Sequence, residues 1–131
     1  VTPEGEGYAS VTRYRVIARK DDATLVSLAP QSGRQHQLRV HLSAIGFPIV
    51  GDKLYGPEGS QPFLDYIETG MTDELAVRLG HHRQALHAYE LELDHPTTGA
   101  PTTLRAPLSE DLASLWGAAL EPSALAFAGA C

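Results

Sequence analysis

The sequence is short of cysteine and of long hydrophobic runs, and each shortage excludes a class of protein. Cys131 is the only cysteine, so an internal disulfide cannot form. No uninterrupted apolar stretch approaches the ~20 residues of a membrane helix, and residues 1–6 lack the features of a signal peptide. We therefore expect a cytoplasmic protein that has no membrane partner.

Familiar site motifs are also missing. The chain contains no glycine-rich phosphate loop and no GxSxG nucleophile elbow. Six histidines are present, but His36 and His41 are five residues apart, whereas zinc ligands on one helix are spaced by three or four. We therefore expect no metal site.

Positive charge is scarce overall but unevenly distributed. The formal net charge is −6, which by itself argues against a nucleic-acid partner. Residues 1–56 nevertheless carry seven Lys and Arg against five Asp and Glu, whereas residues 57–131 carry three against eleven. An anion-binding surface therefore belongs to the first half, unless the asymmetry is an ordinary fluctuation of surface charge.

The residue patterns predict one α+β domain with a mixed, mainly antiparallel sheet and short flanking helices. β-branched and aromatic residues predict a hairpin from residues 8–20 and 24–29. A second pair of strands is predicted over 87–94 and 102–105, with Tyr89, Leu91 and Leu93 facing the core and the opposite face wet.

Short helices are predicted where apolar periodicity meets capping residues. They cover 35–45 with Gly46 as the end signal, the segment from Thr72 to Gly80, and the segment from Ser109 to Ala119. Pro48-Ile49-Val50 is a brief strand candidate. The predicted boundaries are a linker over 1–7, the domain over 8–120 and a tail over 121–131.

The most distinctive segment places two arginines, two histidines and two glutamines within residues 34–41. Arg39 follows Leu38 and therefore lies about 100° around the helix, at the edge of its apolar stripe. Guanidinium groups pair well with carboxylates and phosphates, so an arginine at this edge can serve a polar cleft. On the residues alone, a helix whose polar side chains are merely solvated remains the open alternative.

Several blocks, in this order, resemble the C-terminal half of the catalytic domain of RluA-type RNA pseudouridine synthases. The likeness spans roughly residues 8–118. The blocks are SGRQHQLRVHL from Ser32, IGFPIVGDKLYG from Ile45, RQALHA from Arg83, and His95-Pro96. The resemblance implies isomerisation of uridine to pseudouridine in ribosomal or transfer RNA, with structured RNA as partner and no metal or organic cofactor.

The resemblance also implies roles for individual residues. Arg39 matches the arginine that pairs with a catalytic aspartate, and Leu38 matches the apolar wall beside the target base. The remaining positions divide into implied RNA contacts (Arg34, His36 and Gln37) and structural support (Asp52, Tyr55, Arg83 and His87). From its place in a glycine-bracketed turn, Asp52 is expected to bond the backbone amides of that turn.

One block of the family is absent from these residues. The His-Arg-Leu-Asp block that carries the nucleophile is not in the chain, nor is the segment with the site tyrosine. We therefore expect the chain to be inactive alone, to need the missing N-terminal half of the catalytic domain as a partner, and to expose apolar surface. The alternatives are a non-catalytic RNA-binding module derived from the same fold and a purely structural relic.

Overall fold

Pairs of strands and groups of short helices follow one another along the chain, which confirms the predicted α+β class. The architecture is that of a computed structural model, which describes residues 7–117. The predicted tail over 121–131, and all of the predicted linker except Gly7, lie outside the described residues. The elements are β1 (Thr12–Arg19), β2 (Thr24–Pro30), α1 (Gln37–Ala44), α2 (Gln61–Thr69), α3 (Asp73–Leu79), β3 (Glu90–Asp94), β4 (Pro101–Arg105) and α4 (Glu110–Trp116).

The strands form two separate two-stranded sheets, β1–β2 and β3–β4. A tight turn joins β1 to β2, closed by the Lys20 amide donating to the Ala23 carbonyl at 2.8 Å. Two adjacent strands joined by so short a turn must run antiparallel, as the sequence predicts. The ladder extends past the strand ends, where the Gln31 amide donates to the Val11 carbonyl at 2.9 Å.

The β3–β4 hairpin is antiparallel, and its leucine face differs from the prediction. Leu91 lies opposite Leu104, and Leu93 lies opposite Thr102. Leu91 is 58% exposed, Leu104 54% and Leu93 37%, so the face expected to pack on the core is open to solvent. The prediction of a single wet face was therefore wrong, because a two-stranded hairpin needs a second layer before either face is dry.

Helix α1 begins two residues later than predicted and ends one residue earlier, with Gly46 following it as the predicted end signal. It begins after His36, whose backbone is left-handed with φ of 54° and therefore cannot continue a right-handed helix. At the other end Gly46, with φ of 85°, donates its amide to Ser43, and Phe47 donates to Leu42. These two bonds form a Schellman motif, which explains the glycine after the helix.

The remaining helices include one that the sequence reading missed. Helix α2 has Pro62 in its first turn and Gly70 after its last, which is a recognisable pair of boundary signals. Helix α3 is capped as predicted, with the Thr72 hydroxyl accepting from the Leu75 amide at 3.2 Å. Helix α4 follows Ser109, whose side chain makes no capping bond; the predicted last two residues of this helix lie outside the described part.

The chain divides into two compact units with small cores. The first unit contains the residues up to Tyr14 together with Leu28–Leu86, and the second contains Arg15–Ser27 and the residues from His87 onward. Ile49 and Leu75 are buried in the first unit and Leu112 in the second. The segment 48–50 is not a strand, and Ile49 enters the core from a turn. None of the helices within residues 7–117 has the length and apolar character needed to cross a membrane.

Candidate functional site

Arg39 and Asp52 form a bidentate ion pair in the first unit. The Arg39 Nε donates to Asp52 Oδ2 at 2.8 Å, and Nη2 donates to Oδ1 at 2.7 Å. The Asp52 side chain is completely buried, and the Arg39 side chain is 14% exposed. Paired N–H···O bonds of this kind fix the orientation of a guanidinium as well as its position.

The same carboxylate closes its own turn. Asp52 Oδ1 also accepts the backbone amides of Leu54 at 2.9 Å and Tyr55 at 3.1 Å. Burial pushes the pKa of Asp52 upward, but the hydrogen bonds from Arg39 and the two amides, with the nearby positive charge, outweigh burial and leave the pKa below its usual value. Hydrogen bonding to Asp52 raises the pKa of Arg39, so both partners stay charged.

The Arg39–Asp52 pair is a feature that sequence reasoning missed. The sequence places Asp52 in its turn and the resemblance pairs Arg39 with an aspartate outside the chain, whereas the fold brings the two together across thirteen residues. The one available signal was an aspartate in a glycine-bracketed turn shortly after a helix with an arginine at the edge of its apolar stripe. That pattern suggests proximity but does not determine the direction of either side chain.

Tyr55 links Arg39 to His36. Its ring centroid lies 5.0 Å from the Arg39 guanidinium carbon, within the range of a cation–π contact. Its hydroxyl lies 3.0 Å from His36 Nδ1, and the two rings meet edge to face. The Tyr55 carbonyl also accepts from the Ser43 hydroxyl at 2.7 Å, which ties the turn to α1. Tyr55 therefore contacts both Arg39 and His36, two residues of the predicted polar cluster.

Gln37 is buried and has no hydrogen-bonding capacity left for RNA. Its Oε1 accepts from the Ser32 hydroxyl at 2.7 Å and the Arg34 amide at 3.2 Å. Its Nε2 donates to the Val11 carbonyl at 3.1 Å and the Thr12 hydroxyl at 3.0 Å. This placement differs from the predicted RNA contact, because all four bonds of the amide are made inside the protein. Gln37 instead joins α1 to the start of β1.

His41 has a similar anchoring position that the sequence did not reveal. Its Nδ1 lies 2.9 Å from the Thr12 hydroxyl, and its Nε2 lies 3.0 Å from the Ser10 hydroxyl. Both ring nitrogens are therefore engaged with the segment that enters β1. The position of His41, four residues after Gln37 on the same helix face, was the available signal.

Arg34 and Leu38 occupy the more open side of the cluster. Arg34 is exposed, and its guanidinium carbon lies 4.9 Å from the ring centroid of Tyr8, which is itself 81% exposed. Leu38 is half-buried at the start of α1. His36 is also exposed, and its Nδ1 contacts the Tyr55 hydroxyl.

The turn that carries Asp52 rests on the loop that carries Arg83. The Gly51 amide donates to the Leu79 carbonyl at 2.9 Å, and the Ala85 amide donates to the Val50 carbonyl at 2.8 Å. Arg83 Nη1 donates to the carbonyls of Gln84 at 3.3 Å and Leu86 at 3.4 Å, so this side chain holds its own loop in shape. His87 lies in the second unit, where its Nε2 is 3.1 Å from the Ala106 carbonyl.

The chain can be compared with known proteins. A family model described as RNA pseudouridylate synthase matches residues 2–44. The ribosomal large subunit pseudouridine synthase D of Xanthomonas campestris is 43% identical over 122 residues, which are 92% of this chain and 35% of that protein. The chain belongs to the RluA-type pseudouridine synthase family.

Two other members of this family show similar identity and coverage. The dual-specificity RNA pseudouridine synthase RluA of Vibrio cholerae is 40% identical over 78% of this chain and 35% of its own length. The uncharacterized RNA pseudouridine synthase YlyB of Bacillus subtilis is 39% identical over 88% of this chain and 32% of its own length. The chain thus spans about a third of the length of these curated family members.

Proposed function

We propose that this chain supplies the arginine side of the active site of an RNA pseudouridine synthase that isomerises uridine to pseudouridine in ribosomal or transfer RNA. The observation that carries the proposal is the Arg39 guanidinium, which pairs with Asp52 through Nε and Nη2 and keeps 14% of its side chain exposed. Arg39 Nη1 makes no hydrogen bond to any group in the described residues 7–117. In this proposal a catalytic carboxylate binds at the Nη1 end.

The carboxylate must come from outside the described residues. Asp52 is the aspartate that contacts Arg39 there, and its Oδ1 accepts three hydrogen bonds while its Oδ2 accepts the Arg39 Nε. A completely buried carboxylate lacks the access to substrate that a nucleophile needs. The proposal therefore includes the inactivity of the chain alone and a requirement for the remaining part of the catalytic domain.

Arg39 then sets the charge and direction of that carboxylate. A guanidinium within ~4–6 Å lowers the pKa of a carboxyl group and keeps it ionised. A hydrogen bond from Arg39 to the catalytic carboxylate, whether single or bidentate, also restricts the direction from which that carboxylate reaches the substrate. Leu38, half-buried one residue earlier, provides the apolar wall beside the base.

Structured RNA binds over the open side of α1. Arg34 and His36 are exposed there, and they are the side chains that contact the RNA backbone. Gln37, Tyr55, Asp52 and Arg83 hold the segment that presents them, and His87 supports the second unit. No metal or organic cofactor is needed for this assignment.

A chimera tests the proposed function. In the X. campestris relative, the aligned third is replaced by this chain, and the chimera is incubated with a transcript of large-subunit ribosomal RNA. Mass spectrometry of the digested RNA should show pseudouridine with the chimera and none with the chain alone or with an Arg39→Ala chimera. A folded chimera that forms no pseudouridine, or activity of the chain alone, contradicts the proposal.

A non-catalytic RNA-binding module is the second candidate. Two observations favour it: the Asp52 carboxylate is completely buried, and the exposed Arg34 lies over the exposed Tyr8 ring. It shares the RNA contacts of the first candidate but not the chemistry. RNA binding by the chain together with an inactive, folded chimera distinguishes it.

A further inference from the structure

The Asp52 carboxylate holds the Arg39 guanidinium by one particular edge. The two bonds run from Nε and Nη2, which is the side-on arrangement. This arrangement leaves Nη1 at the far end of the fork. The guanidinium carbon also lies 5.0 Å from the centroid of the Tyr55 ring, in a cation–π contact.

The support for Asp52 comes from the backbone rather than from mobile side chains. Its Oδ1 is fixed by the amides of Leu54 and Tyr55, and its own amide donates to the Ile49 carbonyl at 3.1 Å. Ile49 is one of the few buried apolar residues of the first unit. The direction of the guanidinium is therefore set by a turn that is anchored in the core.

We propose that Asp52 is a positioning residue that acts through Arg39: it holds the guanidinium side-on so that the Nη1 end meets the catalytic carboxylate. This inference rests on the proposed function and adds to it the residue that determines the geometry of Arg39. An arginine side chain has several freely rotating bonds, and fixing them before the substrate arrives removes an entropic cost from the reaction.

The pairing also sets the charge that the catalytic carboxylate meets. Asp52 offsets much of the positive charge of Arg39. Asp52 therefore contributes by orienting the guanidinium and not by strengthening its attraction for the catalytic carboxylate. Loss of the Asp52 charge leaves a stronger but less ordered cation. Substitution of Asp52 should therefore lower the rate of the chemical step more than the affinity for RNA.

A double-mutant cycle in the chimera separates positioning from general structural support. The variants are Asp52→Asn, Arg39→Lys and their combination, with Asp65→Asn as the matched control because Asp65 pairs with Arg78 outside the site. Asp52→Asn should lower the single-turnover rate about 10- to 100-fold while the RNA Kd changes less than about 3-fold. In the Arg39→Lys background, Asp52→Asn should cause no further loss.

The alternatives give different results. An equal loss in both Arg39 backgrounds means that Asp52 acts on the fold and overturns the inference, as does an unchanged rate with Asp52→Asn. A chimera with the natural chain that forms no pseudouridine overturns the proposed function instead.

A second measurement uses the 131-residue chain without any activity. Nitrogen-15 NMR of the arginine side chains reports the exchange of the Arg39 Nε proton with water. Asp52→Asn should accelerate this exchange at least about tenfold, since a proton exchanges when its hydrogen bond opens, and Asp65→Asn should leave it unchanged. Equal protection in the natural chain and in Asp52→Asn overturns the inference.

Discussion

Gly51 lies directly against the backbone carbonyl of Arg83, so closely that a Cβ at position 51 would overlap that carbonyl group. Gly51 also has a φ of 77°, which side-chain-bearing residues rarely adopt. The contact joins two segments of the chain that are more than thirty residues apart. It places the Asp52 turn, and through it Arg39, on the loop that follows α3.

Substitution of Gly51 by alanine should destabilise the first unit strongly. The left-handed backbone and the overlap with Arg83 both oppose the new methyl group, and together they should cost about 2–5 kcal/mol. Urea denaturation followed by circular dichroism measures this loss. Gly59→Ala is the control, because Gly59 has φ of 63° and open space around it; an equal loss in both variants would show that the close approach has no effect.

The acid sensitivity of the fold should depend on Asp52. The folded-state pKa of Asp52 is lowered by Arg39 and the turn amides despite burial, so its stabilisation is present above the unfolded-state pKa of about 3.9 and is lost as the pH falls through the folded-state value. Asp52→Asn should cost about 2–5 kcal/mol at pH 7, and this difference should narrow below about pH 4.

Urea midpoints measured from pH 3 to pH 7 test this dependence. Asp22→Asn is the control, since Asp22 is an exposed residue of the β1–β2 turn. If the natural chain and Asp52→Asn keep a constant difference over the whole pH range, the ionised Asp52 is not the source of the stabilisation.

Gln37 should contribute to stability through its four hydrogen bonds. Gln37→Ala removes all four hydrogen bonds of this buried amide, at a cost of about 1–3 kcal/mol. Thermal unfolding measures the change. Gln35→Ala, two residues earlier and exposed, should have almost no effect; a loss as large as that of Gln37→Ala would argue against the buried network.

Arg34 should contribute one phosphate contact to RNA binding. Arg34→Ala should weaken binding of structured RNA by the chimera and reduce the slope of log Kd against log salt concentration by about one. Filter binding between low and moderate salt provides both values. Arg78→Ala is the matched control, because Arg78 is an exposed arginine paired with Glu58 and Asp65. An unchanged slope with Arg34→Ala contradicts the contact.

The local elements of the fold were predictable where one strong signal was enough. Thr72 and Gly46 act through bonds to residues three to five positions away, so the ends of α3 and α1 could be read directly from sequence. Helix α2 was missed although its signals are local: Pro62 and Gly70 bracket it, and Phe63 and Ile67 are four residues apart.

The predicted burial of the β3 leucine face was wrong for a different reason. Alternation of Leu91 and Leu93 with acidic residues correctly indicated a strand and its two faces. Whether a leucine face is dry depends on a second layer of structure, which the alternation does not encode.

The sequence by itself determined the family, the α+β class, and the cluster of polar residues around Arg39, because composition, spacing and local hydrogen bonds are properties of neighbouring residues. Only the tertiary structure decided that Arg39 is already paired with Asp52, that Gln37 is buried, and that Gly51 abuts Arg83. These relationships depend on the directions of side chains and backbone groups brought together by the fold, and each direction is set by packing and hydrogen bonds from distant parts of the chain.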